Sequence, residues 1–187
     1  MAAKALDKNT AWELVLDAVN RSNVTLSLPG SDKPALDIGQ NGEWELRLPA
    51  ELDARNLLSV FLPLCCPVAQ GSRSRVVGQM GQSLDGRIAT VTGASRFING
   101  KDGITHLHRL RAVSEAVIVG AGTASTDNPR LTVRKTSGIN PVRVVIDRNH
   151  RVPDSHHLFS DEASPTLRLV AGDYHSGDKL TPRHGVT

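Results

Sequence analysis

The chain has 187 residues, 39% of them hydrophobic and only 3% aromatic, enough for one ordinary domain, or a modest one with an added module, whose core rests on Val, Leu, Ile and Ala. The net charge of +3 divides unevenly: residues 1–70 carry six Lys/Arg against nine Asp/Glu, and residues 71–187 carry 16 against 10. The basic part favours a small anionic ligand over nucleic acid, because its charges are scattered without aromatic interleaving. Cys65 and Cys66 are adjacent, with no CxxC pair or Cys/His cluster around them, which argues against zinc or a redox dithiol and for two plain thiols in a mobile apolar segment. The longest apolar run, residues 57–68, is broken by Ser59, Pro63 and Pro67, and the first ten residues have no signal-peptide core. No membrane segment and a cytoplasmic location are therefore expected.

In chain order, Thr10 with Glu13 forms a capping-box pattern, and Ala11, Leu14, Val15, Ala18 and Val19 follow at helical spacing. Residues 23–28 read as a strand, 29–42 as a polar loop, and 43–48 as a strand with Trp44, Leu46 and Leu48 on one face. Residues 54–66 fit either a helix or a buried extended run. The polar segment 69–75 is the linker candidate, so residues 1–70 are expected to form an N-terminal α+β extension of unknown role. Beyond it, residues 76–80 and 87–90 read as strands around a Leu84-Asp85-Gly86 turn that Asp85 caps. Residues 100–113 read as a helix, and 116–119, 142–146 and 166–170 as buried strands. Strand, helix and strand in this order predict parallel neighbours with ligand loops at their carboxyl ends.

Several local features could carry chemistry. Val117-Ile-Val-Gly120 runs into Ala121-Gly122-Thr123, a glycine turn that could bring main-chain N–H groups against a phosphate or serve only as a tight connection; it is neither a Rossmann nor a Walker loop. Arg109, Arg111, Arg130 and Arg134 could fork onto a phosphate or face solvent, and Ser95 could donate to one. His106 and His108 are two apart and point to different sides of a helix, so surface or structural roles are expected for them and for His156 and His157. Neither a nucleophile elbow nor a Ser-His-Asp set is present, so no catalytic residue is assigned.

Taken together, the ordered stretches Val76-Val-Gly-Gln-Met-Gly-Gln-Ser-Leu-Asp-Gly-Arg-Ile-Ala-Thr90, Gly93-Ala-Ser95 with Phe97-Ile98, His108-Arg-Leu-Arg111, Gly120-Ala-Gly-Thr123, Asp127-Asn-Pro-Arg-Leu-Thr-Val-Arg134 and Pro141-Val-Arg-Val-Val-Ile-Asp147 resemble the reductase domain of bacterial riboflavin biosynthesis. The resemblance covers about residues 75–170, the front part of a domain assigned to 71–187. It implies an α/β fold like that of dihydrofolate reductase, three-layered around a mostly parallel central sheet. It also implies NADPH-dependent reduction of 5-amino-6-(5-phosphoribosylamino)uracil, with hydride passing from the nicotinamide to the sugar C1′ in its ring-opened imine form.

By the same resemblance Gly81, Phe97, Thr123, Asp127 and Arg148 line the cofactor, and Ser95, Arg111, Leu131 and Arg134 line the substrate, with Arg111 and Arg134 as phosphate clamps. Gln79, Ala94 and Phe97 stand where the family commonly has Lys, Glu and Trp. Family members continue with a glycine-rich cofactor loop, a helix and closing strands that do not appear before Thr187, so a fold incomplete at its C-terminal end is expected. Residues 1–70 lack the His-x-Glu and Pro-Cys-x-x-Cys of the deaminase often fused to this domain. No metal is implied, and a homodimer is. Two alternatives stay open: a reductase of a related pyrimidine or pterin-like substrate, and a non-catalytic nucleotide-binding or assembly protein.

Overall fold

A computed structural model describes residues 5–67, 74–92 and 100–171. The chain divides into two compact units, Met1–Gln79 and Met80–Thr187.

In the first unit, helix α1 (Lys8–Ala18) begins two residues before the expected cap. Asp7, not Thr10, is the N-cap: its carboxylate accepts from Asn9 N and Thr10 N at 3.0 and 2.9 Å, which satisfies two N–H groups that the first turn leaves free. Helix α2 (Leu52–Cys65) settles the ambiguity over residues 54–66 as helical. Its buried Leu57, Leu58, Phe61 and Leu62 recur at helical spacing, and Phe61 meets Trp12 of α1 edge to face at 5.4 Å.

Beside the helices lies an antiparallel meander, β1 (Val24–Ser27), β2 (Pro34–Ile38) and β3 (Trp44–Leu46). Strand β2 corrects the polar loop read over 29–42. Pro34 stands at the strand's first position, where its missing N–H is tolerated, and Ala35, Leu36 and Ile38 are buried behind it. Cys65 is held in this core, not in a mobile segment. Its thiol donates to Phe61 O at 3.2 Å, and burial, reinforced by Cys66, pushes it up to about 12, which makes it an inert packing group.

The second unit is an α/β domain. Helix α3 (Lys101–Ala112) leads into β4 (Ala116–Gly120), α4 (Ala121–Asp127), β5 (Val142–Ile146), α5 (His157–Ser160) and β6 (Thr166–Leu169). The three strands form a parallel sheet in the order β4-β5-β6, with Gly120 opposite Ile146 and Ile146 opposite Leu169 at their carboxyl ends. One face carries Val117, Val119 and Val145 against Ala121, Ala124, Leu131, Val152, Leu158 and Phe159.

Residues 76–80 and 87–90 form no strand among the described residues. The intervening turn bonds to itself instead: Ser83 N donates to Arg87 O, Gly86 N to Ser83 O and Arg87 N to Ser83 Oγ, while Val76, Met80 and Ile88 are exposed. Asp85 does cap this turn, accepting from Ser83 Oγ at 2.5 Å, and Gly86 supplies its φ of 79°. Residues 120–123, expected as a glycine turn, instead end β4 and open helix α4 with Gly120 at its N-cap. The left-handed residue that ends it is Asn128, φ 42°, not a glycine. Among the described residues no helix is long and apolar enough to cross a membrane.

Candidate active site

Some of the expected ligand residues lie toward the two ends of strand β4, on α3, on α4 and just beyond β5. At the carboxyl end of β4, Gly120 and Gly122 open helix α4, which has no side-chain cap. A Cβ at either glycine would meet nothing within 4 Å, so no packing requires their smallness and the space beside this main chain is open. Thr123 lies exposed in the first turn of α4 and Asp127 exposed in its last. Arg148 follows β5 at the same edge of the sheet, also exposed. Gly81 lies apart from regular structure, before the Ser83–Arg87 turn. Ser95 and Phe97 fall outside the described residues.

The chain then runs back along the covered sheet face. Asn128 Oδ1 accepts from His157 N at 2.8 Å, Leu131 is buried in the core with φ 53°, and Val133 N donates to Asn140 Oδ1 at 2.7 Å. This brings Arg134 to the end of α3. There Arg134 N donates to His108 Nδ1 at 2.9 Å, Arg134 Nη1 donates to Thr132 Oγ1 at 2.5 Å, and Arg111 Nη1 donates to Thr132 O at 3.3 Å. Two guanidinium groups from distant parts of the sequence thus meet on one threonine. Arg111 Nε is shielded from solvent and has no hydrogen-bond partner, and burial together with the charge of Arg134 holds the Arg111 pKa below its usual range.

His108 and Thr132 are the members of this cluster that sequence reasoning did not assign. His108 is buried, in line with a structural role, and accepts the Arg134 N–H on Nδ1, which requires that nitrogen to be unprotonated. Burial first, then the charges of Arg111, Arg134 and Lys135, push its pKa down to about 4. The spacing His108-x-x-Arg111, one helical turn, was the available signal for the pair.

A pH dependence follows. The unfolded chain binds a proton on His108 near pH 6.5, and the folded chain does so only near 4. Between those values the unfolded state holds more protons, so the contribution is complete above 6.5 and is lost as pH falls toward 4, about 3 kcal/mol in all. Urea unfolding of wild type and His108→Asn across this window checks it. The wild type is expected to lose stability on acidification more steeply than the variant, which keeps an acceptor and cannot titrate.

Residues 74–178 match the model of the RibD C-terminal domain, more than half of the chain. The chain belongs to the RibD C-terminal domain family. Within that family it is 42% identical over 98 residues to a 2,5-diamino-6-ribosylamino-4(3H)-pyrimidinone 5′-phosphate reductase of Methanothermobacter thermautotrophicus, covering 51% of this chain and 44% of that protein. It is 35% identical over 109 residues to the riboflavin biosynthesis protein RibD of Aquifex aeolicus, covering 58% of this chain and 31% of that one. A solved deaminase/5-amino-6-(5-phosphoribosylamino)uracil reductase from Thermotoga maritima is 37% identical, with a TM-score of 0.45 over 49% of this chain and 26% of that one. The chain spans less than half the length of the curated relatives it matches. Family membership and the parallel β4-β5-β6 sheet agree with the dihydrofolate reductase-like α/β class expected from the sequence.

Proposed function

We propose that this domain is an NADPH-dependent reductase of a phosphorylated ribosylaminopyrimidine, converting 5-amino-6-(5-phosphoribosylamino)uracil to its ribityl product. The observation that carries this reading is the convergence of Arg111 and Arg134 on Thr132. A pair of guanidinium groups held together against their own repulsion, one with an unpartnered Nε, has the donor set of a phosphate clamp. Neutral His108 holds the backbone of Arg134 without adding a third charge.

The other half of the reading is the edge where β4 ends. The open space beside Gly120 and Gly122 fits a phosphate group approached by main-chain N–H donors, and by family pattern Thr123 and Asp127 of α4 and Arg148, beyond the end of β5, belong to the same cofactor site. Gly81, Phe97, Ser95 and Leu131 complete the assignment by family pattern. When bound there, NADPH supplies the hydride. The chain's own part is orientation: strand β4, about 13 Å long, separates the arginine pair from the glycine edge, so a substrate anchored by its phosphate extends toward the cofactor. Binding energy from that remote phosphate fixes the sugar carbon in place.

The test is an assay of the purified chain with NADPH and the phosphoribosylaminouracil, following loss of the reduced-nicotinamide absorbance. Turnover that requires the phosphorylated substrate supports the reading. A folded chain that binds NADPH but turns over only another pyrimidine or a pterin would replace the substrate, and one that binds it without any turnover would leave a nucleotide-binding protein.

A further inference from the structure

The last turn of α3 and the returning segment 132–135 hold three cations about one buried ring. His108 is 3% exposed, and Arg134 N donates to its Nδ1 at 2.9 Å, so the main chain that carries Arg134 and Lys135 is tied to the imidazole. Arg111, one helical turn on from His108, reaches Thr132 O at 3.3 Å, and Arg134 Nη1 reaches Thr132 Oγ1 at 2.5 Å. The frame continues past Lys135: Val133 N donates to Asn140 Oδ1 at 2.7 Å and Asn140 Nδ2 to Ala163 O at 2.9 Å, which closes the loop 133–140 at its base. Burial first, and then the charges of Arg111, Arg134 and Lys135, hold the ring's pKa down at about 4, so the Lys135 ammonium lies within electrostatic reach of it.

No acid answers these charges. Among the described residues, the ion pairs of this unit join Arg87 to Asp85, Arg143 to Asp161, and Arg168 to Asp147 and Asp154, and none includes Arg111, Arg134 or Lys135. The last carbonyls of α3, which would otherwise attract cations, are taken as well: Arg109 O accepts Val113 N, Arg111 O accepts Ser114 N, and Leu110 O accepts Ser114 Oγ at 2.6 Å. Arg134 and Lys135 are both exposed and open to a ligand. Like charges gathered without a counter-ion repel one another, and an anion bound among them relieves that repulsion.

We infer that Lys135 is a third cation of the phosphate site and sets its selectivity for a doubly charged phosphate monoester over singly charged esters. The inference rests on the reading of Arg111 and Arg134 as the clamp for the substrate phosphate, and assigns the charge selectivity within it. The two arginines present planar forks, which suit the oxygens of a monoester and a diester alike. An ammonium is a compact point charge on a flexible stem, and its attraction grows with the charge it meets. A monoester carries close to two charges at neutral pH and a diester only one, so the third cation separates ligands that hydrogen-bond geometry does not. His108 adds no charge of its own while the monoester titrates, near pH 6, because its ring stays neutral down to about 4.

Calorimetric titration of the full chain at about pH 7.5, where the monoester is doubly charged, tests this. The ligands are 5-amino-6-(5-phosphoribosylamino)uracil, the methyl ester of its phosphate and its dephosphorylated nucleoside. Wild type is expected to bind the monoester roughly tenfold more tightly than the methyl ester. Lys135→Gln should narrow that ratio to about threefold and leave the nucleoside unaffected, and Lys135→Arg should restore it. Lys135 is exposed, so folding is expected to survive, and a thermal melt checks that it does. The His108 ring, followed by NMR in the ligand-free protein, gives a second readout: its titration midpoint should rise in Lys135→Gln and stay in place in Lys135→Arg. An unchanged ratio or an unmoved midpoint in Lys135→Gln overturns the proposal and makes Lys135 a solvated surface residue, while the clamp itself stands if wild type still prefers both esters to the nucleoside. If wild type binds esters and nucleoside alike, the phosphate reading of the arginine pair falls and this inference falls with it.

Discussion

Arg134→Ala is expected to lower kcat/KM for the phosphorylated substrate by roughly 10- to 100-fold, through KM and kcat together, because a charge-assisted bond to a remote phosphate both holds the substrate and positions its sugar carbon. Arg111→Ala should cost at least as much, since Arg111 is the more buried of the pair and its Nε is without a partner. The two effects should not add, as both groups would share one phosphate. Steady-state kinetics with the substrate and its dephosphorylated nucleoside check the assignment: the nucleoside should be insensitive to both substitutions. Stability offers a second readout. The charges of Arg111 and Arg134 repel each other beside a histidine that both keep neutral, so removing the exposed Arg134 charge should leave the melting temperature unchanged or raise it. A loss of several degrees together with an equal loss on the nucleoside would mark Arg134 as a structural residue.

The sequence was most legible in the short apolar runs of the parallel sheet, although only β5 is buried along most of its length and β4, expected to be buried, alternates exposed and half-buried residues. Strand β5 was read at its observed ends, and β4 and β6 to within a residue, because runs such as Val142-Arg-Val-Val-Ile146 sit between turn residues. Amphipathic helices α1 and α3 were legible by period, with their ends less so. Strand β2 was hidden because Pro34 and Asp37 make a short half-buried strand look like loop, and α4 because two glycines read as a turn although both accept helical or extended angles. The alternation in residues 76–90 promised strands, yet a strand needs a partner for its backbone groups as well as a pattern, and the Ser83–Arg87 turn bonds locally. At the candidate site, Arg111 and Arg134 were two of four arginines that could fork onto a phosphate, and only the family pattern singled them out as a pair. Their meeting on Thr132 depends on the return of residues 128–134 along the sheet, a tertiary contact that no local spacing encodes. The same holds for Arg143, which in sequence is one polar residue within an apolar strand and in the structure is almost fully buried.

Arg143→Ala is expected to be the most destabilising single change in the second unit, by about 3 kcal/mol or more. Arg143 is only 1% exposed, and its two terminal nitrogens donate to Asp161 Oδ1 at 2.6 Å, to the carbonyls of Asp161 and Ser164 at 3.1 and 2.5 Å, and more weakly to those of Arg130 and His157. One side chain therefore satisfies acceptors from the returning segment, from α5 and from the loop before β6. Truncation would strand those carbonyls in a site that water reaches poorly and leave a void the size of the side chain. The cost through Asp161 is smaller than for a sealed pair, because that carboxylate is 20% exposed and can recover part of its hydration. Arg143→Lys should recover only a fraction of the loss, since an ammonium cannot reproduce two nitrogens forked across several acceptors. Both tryptophans, Trp12 and Trp44, lie in the first unit, so urea unfolding of the second is best followed by far-ultraviolet circular dichroism. The segment that Arg143 ties down at Arg130 leads directly to Leu131 and Arg134, so a partly destabilised variant should also lose affinity for the phosphorylated substrate before it loses its fold. A variant that keeps wild-type stability would mean that the network is worth no more than its desolvation costs, and Arg143 could then be replaced by an apolar residue of similar size.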